Sequence, residues 1–91
     1  MRIISQNGTL DVPYENVVLY QERKEIMCIF SGIYIGEKIA QYSTEEKAQK
    51  AMEMLREKYK DYAKATNKSN FFTMFDYPKV FQFPQDEDVE V

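Results

Sequence analysis

Histidine and tryptophan are missing from these 91 residues, and cysteine occurs once, as Cys28. The lack of histidine removes the most common general base and the most common metal ligand of proteins. A single cysteine cannot form an intramolecular disulfide, which is typical of a reducing compartment. It also cannot complete a zinc site without histidine. We therefore expect no metal, no other cofactor and a cytoplasmic location.

Long apolar runs and catalytic motifs are missing as well. No stretch approaches the roughly 18 apolar residues of a membrane span, and Met1–Gly8 is too short and too polar for a signal peptide. The sequence has no phosphate-binding glycine loop, dinucleotide fingerprint or serine elbow. Cys28 lies in an apolar run, which is more typical of a buried structural residue than of a nucleophile. These absences predict a protein that is not an enzyme and does not cross a membrane.

Charge is unevenly distributed along the chain. Segment 86–91 carries four of the 15 acidic residues and no basic residue, so residues 1–85 balance 12 basic against 11 acidic side chains. A near-neutral body is unlike a nucleic-acid-binding surface, which concentrates basic residues on one face. We predict one domain over residues 1–85 and a flexible, solubilising acidic tail over 86–91. The alternative is that the tail mimics a nucleic-acid backbone for a basic partner.

Short apolar and β-branched runs before residue 43 predict strands. Asn7-Gly8 favours a two-residue type I′ turn between the first two runs, because both residues tolerate a positive φ. Arg23-Lys24 joins two longer runs as a hairpin, and Gly36 indicates a bulge or bend in the next run. The predicted strands are Arg2–Ser5, Thr9–Val12, Val17–Gln21, Ile26–Phe30, Ile33–Tyr42 and, after the helix, Val80–Phe83.

The helix has the clearest pattern. Ser43-Thr44-Glu45-Glu46 resembles a capping box, with Ser43 as the N-cap and Glu46 as the third helical residue. Apolar residues then recur at spacings of three and four from Ala48 to Ala63, which defines one helix face. We expect the helix to end near Lys64 or Ala65. The fold class is therefore α+β: an antiparallel meander of about five strands, one long amphipathic helix and a final strand.

Four residues are candidate contacts for a phosphate-bearing ligand. Arg23 and Lys24 are expected at the hairpin tip, where an arginine could bind a phosphate with two hydrogen bonds. Arg2 could add charge to such a site, and Tyr34 could stack on a base. The alternative for the tip is a solvated turn that binds nothing.

Aromatic residues crowd the segment after the helix. Phe71, Phe72, Phe75 and Tyr77 cannot all be covered by one short helix. They either close one end of the sheet or form a surface for a partner, because exposed apolar clusters mark contact sites.

Two of the predicted strands carry apolar residues on both faces. Val17–Gln21 and Ile26–Phe30 have this pattern, and a strand that is apolar on both faces needs two covers. One helix supplies only one of them. A second copy of the chain could supply the other, so we expect a homo-oligomer.

Three segments, Met1–Glu15, Tyr42–Ala48 and Val80–Gln85, resemble a known group of sequences. They are similar to small uncharacterised proteins carried by phages, prophages and mobile elements of Gram-positive bacteria. The resemblance covers both ends of the chain and the start of the helix, but not residues 20–40. That group has no catalytic motif, so no site residue carries over.

The resemblance implies a role in countering bacterial defences, because small non-enzymatic phage proteins often have this role. Some of them sequester a nucleotide signal as homo-oligomers, and others block a defence protein directly. Our first hypothesis is accordingly a non-catalytic homo-oligomer that sequesters a nucleotide-type ligand. The alternatives are a protein–protein interaction module that inhibits a host protein, and a structural or regulatory protein without a ligand.

Overall fold

The computed structural model describes residues 1–30, 36–67 and 80–91. Their α-helix, α1, is Glu45–Asn67, and short 3₁₀ turns occur at Tyr14–Asn16 and Asp86–Asp88. The class is α+β, as predicted. The strands are β1 Arg2–Ile4, β2 Asp11–Pro13, β3 Val17–Glu22, β4 Glu25–Phe30, β5 Glu37–Gln41 and β6 Val80–Gln82.

The strands form two three-stranded sheets instead of the single meander of about five strands that we expected. The first sheet has the order β2-β1-β6, and the second has the order β3-β4-β5. β1 pairs antiparallel with β2 but parallel with β6, a partner far along the chain. The second sheet is the antiparallel meander, and it contains the predicted hairpin of β3 and β4. Local patterns could not reveal the first sheet, because its central strand pairs with the end of the chain.

The loop from Ser5 to Leu10 differs from the predicted two-residue turn. Gly8 has a positive φ of 78° but Asn7 does not, so a type I′ turn is excluded. The buried Ser5 hydroxyl oxygen instead accepts hydrogen bonds from the backbone N–H groups of Thr9 and Leu10, at 3.1 and 2.9 Å. The loop is therefore organised by a buried side chain.

The irregularity predicted at Gly36 lies three residues further on. Ile26 faces Ala40 and Met27 faces Lys38, so Ile39 is an extra residue in β5. This bulge lets two consecutive residues, Ile39 and Ala40, both point into the core, where they are 2% and 3% exposed.

Gln6 connects the two sheets. Its N–H donates to Ile39 O at 2.9 Å, and its side-chain Oε1 accepts from the N–H of Gln41 at 3.0 Å. Its Nε2 donates to Pro84 O at 3.1 Å. The outer edge of β5 is therefore partly occupied by the first sheet's loop.

The helix buries the apolar face that the sequence predicted. Ala48, Ala51 and Leu55 are almost fully buried, and the helix packs against β3 and β4. The facing side chains of β4 are Ile26 and Cys28, both 0% exposed. No helix among the described residues has the length and apolarity needed to cross a membrane.

The helix start differs from the predicted capping box by one residue. Thr44 is the N-cap, because its Oγ1 accepts a hydrogen bond from the N–H of Lys47 at 3.1 Å. Lys47 is therefore the third helical residue and offers no carboxylate. Asp86 supplies one from far along the chain: its Oδ1 accepts from the N–H of Ser43 at 2.7 Å, and its Oδ2 lies 3.5 Å from Lys47 Nζ.

The acidic segment 86–91, for which we predicted a flexible tail, is attached to the body in this structure. Besides the contacts of Asp86, Val89 is 3% exposed and belongs to the core. Just before it, the buried Tyr42 hydroxyl donates to Pro84 O at 2.9 Å, and burial raises the pKa of Tyr42. Val91 is 77% exposed, so packing ends close to Val89.

The N-cap can be tested with two neighbouring substitutions. Thr44→Ala should lower the free energy of unfolding by about 0.5–2 kcal/mol, because the N–H of Lys47 loses its acceptor. Ser43→Ala should change it by less than about 0.5 kcal/mol, because the Ser43 side chain is exposed. Urea unfolding measures both. A larger loss of stability for Ser43→Ala than for Thr44→Ala would instead identify Ser43 as the N-cap.

Asp86 should make stability depend on pH. Its pKa lies below the ordinary value of 3.8, chiefly because its carboxylate accepts the hydrogen bond from Ser43. Its stabilising contribution is therefore complete above about pH 5 and is lost as the pH falls through the folded-state pKa. Asp86→Ala should lower the melting temperature at pH 7 and approach the wild type near pH 2. Asp88→Ala, in the same turn, is the control, and an equal effect of the two would contradict this role.

Candidate functional site

The face of the second sheet that points away from α1 is apolar. Strand register places Val18 beside Ile29 and Tyr20 beside Met27 on this side, while Cys28 points to the core. We call these residues the outer face: Val18, Tyr20, Met27 and Ile29. Val18 is 60% exposed, and the other three are half-buried.

Gly36 lies against the outer face. A Cβ atom on Gly36 would be 2.7 Å from Tyr20 Oη, 3.5 Å from the terminal methyl of Met27 and 3.6 Å from Ile29 Cγ1. Such proximity to the Tyr20 hydroxyl would require that side chain to move, which explains a glycine at this position. Gly36, just before β5, therefore lies directly over the outer face.

β3 is the edge strand of the described order β3-β4-β5, and no described strand pairs with its other side. All six of its residues pair with β4 on one side. On the other side, no backbone hydrogen bond joins β3 to any of the described residues. The Gln21 side chain donates to Arg23 O and Glu45 O, at the hairpin end only. The outer face thus borders a strand edge that none of the residues in 1–30, 36–67 and 80–91 occupies.

An open groove of about 660 Å³ continues from the outer face around the start of β3. Its charged group is Glu15, whose Oε1 lies 2.7 Å from the N-terminal ammonium of Met1. This hydrogen bond lowers the pKa of Glu15 and compensates its negative charge. The groove is lined by Glu15, Asn16, Val17, Val18, Ile29 and Phe30.

The candidate ligand contacts lie at separate places. Arg23 and Lys24 are exposed at the predicted hairpin tip, where Arg23 has a φ of 56°. Arg2 lies on β1 in the first sheet, where its guanidinium is paired with Asp11 and lowers the pKa of that carboxyl. Tyr34 lies outside the described residues. The structure therefore does not bring the three candidate cations, Arg2, Arg23 and Lys24, together around one ligand.

The groove beside the hairpin tip has mixed charge. Arg23 and Lys24 line it together with three carboxylates and one amide, those of Glu22, Glu25, Glu45 and Gln41. An anionic ligand in this groove would meet more negative than positive side chains, which opposes phosphate binding.

The aromatic residues predicted as a partner surface, Phe71, Phe72, Phe75 and Tyr77, lie outside the described residues. Their role stays a prediction. The outer face was not among the sites predicted from the sequence, although the sequence contains a pattern that points to it. Strand alternation with Cys28 inside places Met27 and Ile29 outside, and the hairpin register then adds Val18 and Tyr20.

Cys28 is the single thiol of the chain and was considered above as a candidate nucleophile. It is 0% exposed, and burial raises the pKa of its thiol, with a smaller contribution from Glu37. Both effects oppose formation of the reactive thiolate. Within the described residues, no three Asp, Glu or Cys side chains are grouped to hold a metal ion.

Comparisons of this chain with protein-family models, with curated proteins and with solved structures find no match.

The structural role of Cys28 predicts slow alkylation. Iodoacetamide at pH 7.5 should leave the folded protein unmodified and should add one group after unfolding in urea, because the thiol is buried and protonated. Intact-mass measurement checks this. Rapid modification of the folded protein would instead identify an accessible, activated thiolate at Cys28.

Proposed function

We propose that this chain is a non-catalytic protein-interaction module that binds a protein partner with the outer face of its second sheet. The observation that supports this is the apolar outer face on a sheet whose other face is already covered by α1. Val18 is exposed and the other three residues are partly exposed, and apolar surface left in contact with water marks a contact site because water solvates it poorly.

The composition of the outer face suits a protein partner. Tyrosine and methionine are enriched at protein–protein interfaces, where charged residues are depleted from the centre. Tyr20 and Met27 are two of the four residues of this face, and charged side chains border it. Lys38 pairs in register with Met27 on one margin, and Glu22 and Glu25 close the hairpin on another. Charged side chains therefore border the four apolar residues on two sides.

The nucleotide-sequestering hypothesis has weaker support from the same geometry. It needs convergent cations, but Arg2 is paired with Asp11, and the groove at Arg23 and Lys24 contains three carboxylates. That hypothesis stays a prediction. A thermal-shift panel of cyclic nucleotides and ADP-ribose derivatives tests it, because a ligand at 100 times its dissociation constant adds about 2.7 kcal/mol of stability.

The resemblance to phage and mobile-element proteins suggests the partner's origin. In that setting the partner is a host protein in the bacterial cytoplasm, and occupying its surface would block a defence function. The outer face would then act by covering an apolar patch on that protein.

Ile29→Lys tests the outer face, because it places a charge among apolar contacts. Binding of a host-lysate partner should fall by roughly tenfold or more, because losing a contact that contributes about 1.4 kcal/mol lowers the affinity tenfold. Val80→Lys is the control, because the Val80 side chain is exposed on β6, and this variant should bind like the wild type. Quantitative pull-down measures binding, and circular dichroism confirms folding.

The proposal would be wrong if folded Ile29→Lys retained every partner of the wild type. A loss of binding shared equally by Val80→Lys would also contradict it, because the charge would then act without regard to the surface that carries it.

A further inference from the structure

We infer that the free edge of β3 pairs with β3 of a second copy of this chain, antiparallel and centred on Leu19. The second sheets of the two copies would then form one six-stranded sheet. The inference rests on the proposed function in one respect, since pairing would join two outer faces into one continuous binding surface. Its physical basis is the strand edge, which is distinct from that face.

The backbone of β3 has its free hydrogen-bonding groups at regular positions. The β3–β4 hairpin has a two-residue turn, with Glu22 facing Glu25. In such hairpins the closing pair is hydrogen-bonded, and bonded pairs then alternate along the ladder. Val18 and Tyr20 therefore bond to β4. Alternation leaves the N–H and C=O groups of Val17, Leu19 and Gln21 directed away from β4.

The other described sheet edges are better protected. Gln6 occupies part of the outer edge of β5. The edge strands of the first sheet, β2 and β6, have three residues each, and β2 contains Pro13, which lacks an N–H. β3 has six residues and contains no proline and no lysine. It is therefore the longest described edge without the usual barriers to strand addition.

The centre of pairing follows from the positions of the free groups. A two-fold axis at Leu19 pairs Leu19 with its own copy and Val17 with Gln21 of the other copy. This register engages all three outward residues of each strand. Centring on Tyr20 would engage only Leu19 and Gln21, and it would place Glu22 opposite the apolar Val18. The Leu19 register therefore forms more hydrogen bonds with less desolvation of charge.

Charge also favours the Leu19 register. The two Glu22 residues would lie six positions apart along the sheet, about 20 Å at roughly 3.4 Å per residue. That distance exceeds the Debye length of about 8 Å at physiological ionic strength, so their repulsion is largely screened. A register centred on Glu22 would instead place the two carboxylates opposite each other.

Side chains across the new pair are complementary. Val18 of each copy would lie opposite Tyr20 of the other on the outer face, a β-branched and aromatic pair that stabilises antiparallel strands. This contact would cover Val18, the most exposed residue of the outer face. Because the same edge serves both copies, the interface closes as a dimer and leaves no further free β3 edge.

Cysteine cross-linking tests the register. Opposite residues that are not hydrogen-bonded to each other have Cα atoms about 4.5 Å apart, within the range of a disulfide. A mixture of Val18→Cys and Tyr20→Cys proteins should therefore form a disulfide dimer several-fold faster than either protein alone. In a dimer of two Val18→Cys chains, or of two Tyr20→Cys chains, the two cysteines lie two positions apart along the paired strands. Their Cα atoms are then beyond the roughly 7 Å limit for a disulfide. The wild type, with only the buried Cys28, should form no dimer.

Sedimentation equilibrium tests the association without added cysteines. The wild type and Val80→Lys should show a mass that rises with concentration towards twice that of the chain. Val18→Lys should remain a monomer, because lysine on an edge strand opposes pairing. Val18 is largely exposed in one copy, so the variant should fold, and circular dichroism checks this.

A wild type that stays monomeric up to millimolar concentration would overturn the inference. So would equal cross-linking of the mixture and of the single-cysteine proteins. Neither result would affect the loss of partner binding expected for Ile29→Lys. Conversely, selective cross-linking together with full partner binding by Ile29→Lys would refute the proposed function and leave the β3 pairing intact.

Discussion

One amphipathic helix can cover one face of a sheet, and that constraint determines the layout of this protein. α1 places Ala48, Ala51 and Leu55 against the side of the second sheet that carries Ile26 and Cys28. The opposite side keeps Val18, Tyr20, Met27 and Ile29 without a second helical layer among the described residues. The apolar outer face follows from that one-sided cover.

The end of the chain holds the arrangement together. β6 pairs in parallel with β1, Tyr42 donates to Pro84 O, Asp86 accepts from Ser43 at the start of α1, and Val89 enters the core. The pairing of β6 with β1 and the two hydrogen bonds join residues at least 42 positions apart. The start of the helix and the N-terminal strands are thus held by the end of the chain, in which Asp86 and Val89 belong to the segment predicted as a flexible tail.

Periodicity predicted the elements whose partners lie nearby. The β3–β4 hairpin and the apolar face of α1 follow from spacings of two and three to four residues, and both are present. The capping box at Ser43 and the turn at Asn7-Gly8 differ, because Asp86 and the buried Ser5 hydroxyl satisfy the backbone groups that local motifs would otherwise satisfy. For the site, strand alternation groups Val18, Tyr20, Met27 and Ile29 on one face, but only the tertiary structure shows that α1 covers the opposite face.

The sequence by itself determined the α+β class, the single buried cysteine and the surplus of apolar strand surface over helical cover. These depend on residue type and short-range spacing, which any folded state of the chain must respect. Only the tertiary structure decided that the strands divide into two sheets, that β6 lies beside β1 and that β3 is the edge strand of the described second sheet. Those outcomes depend on contacts between residues far apart in the chain, and the free energy of such contacts is not recorded in any local pattern.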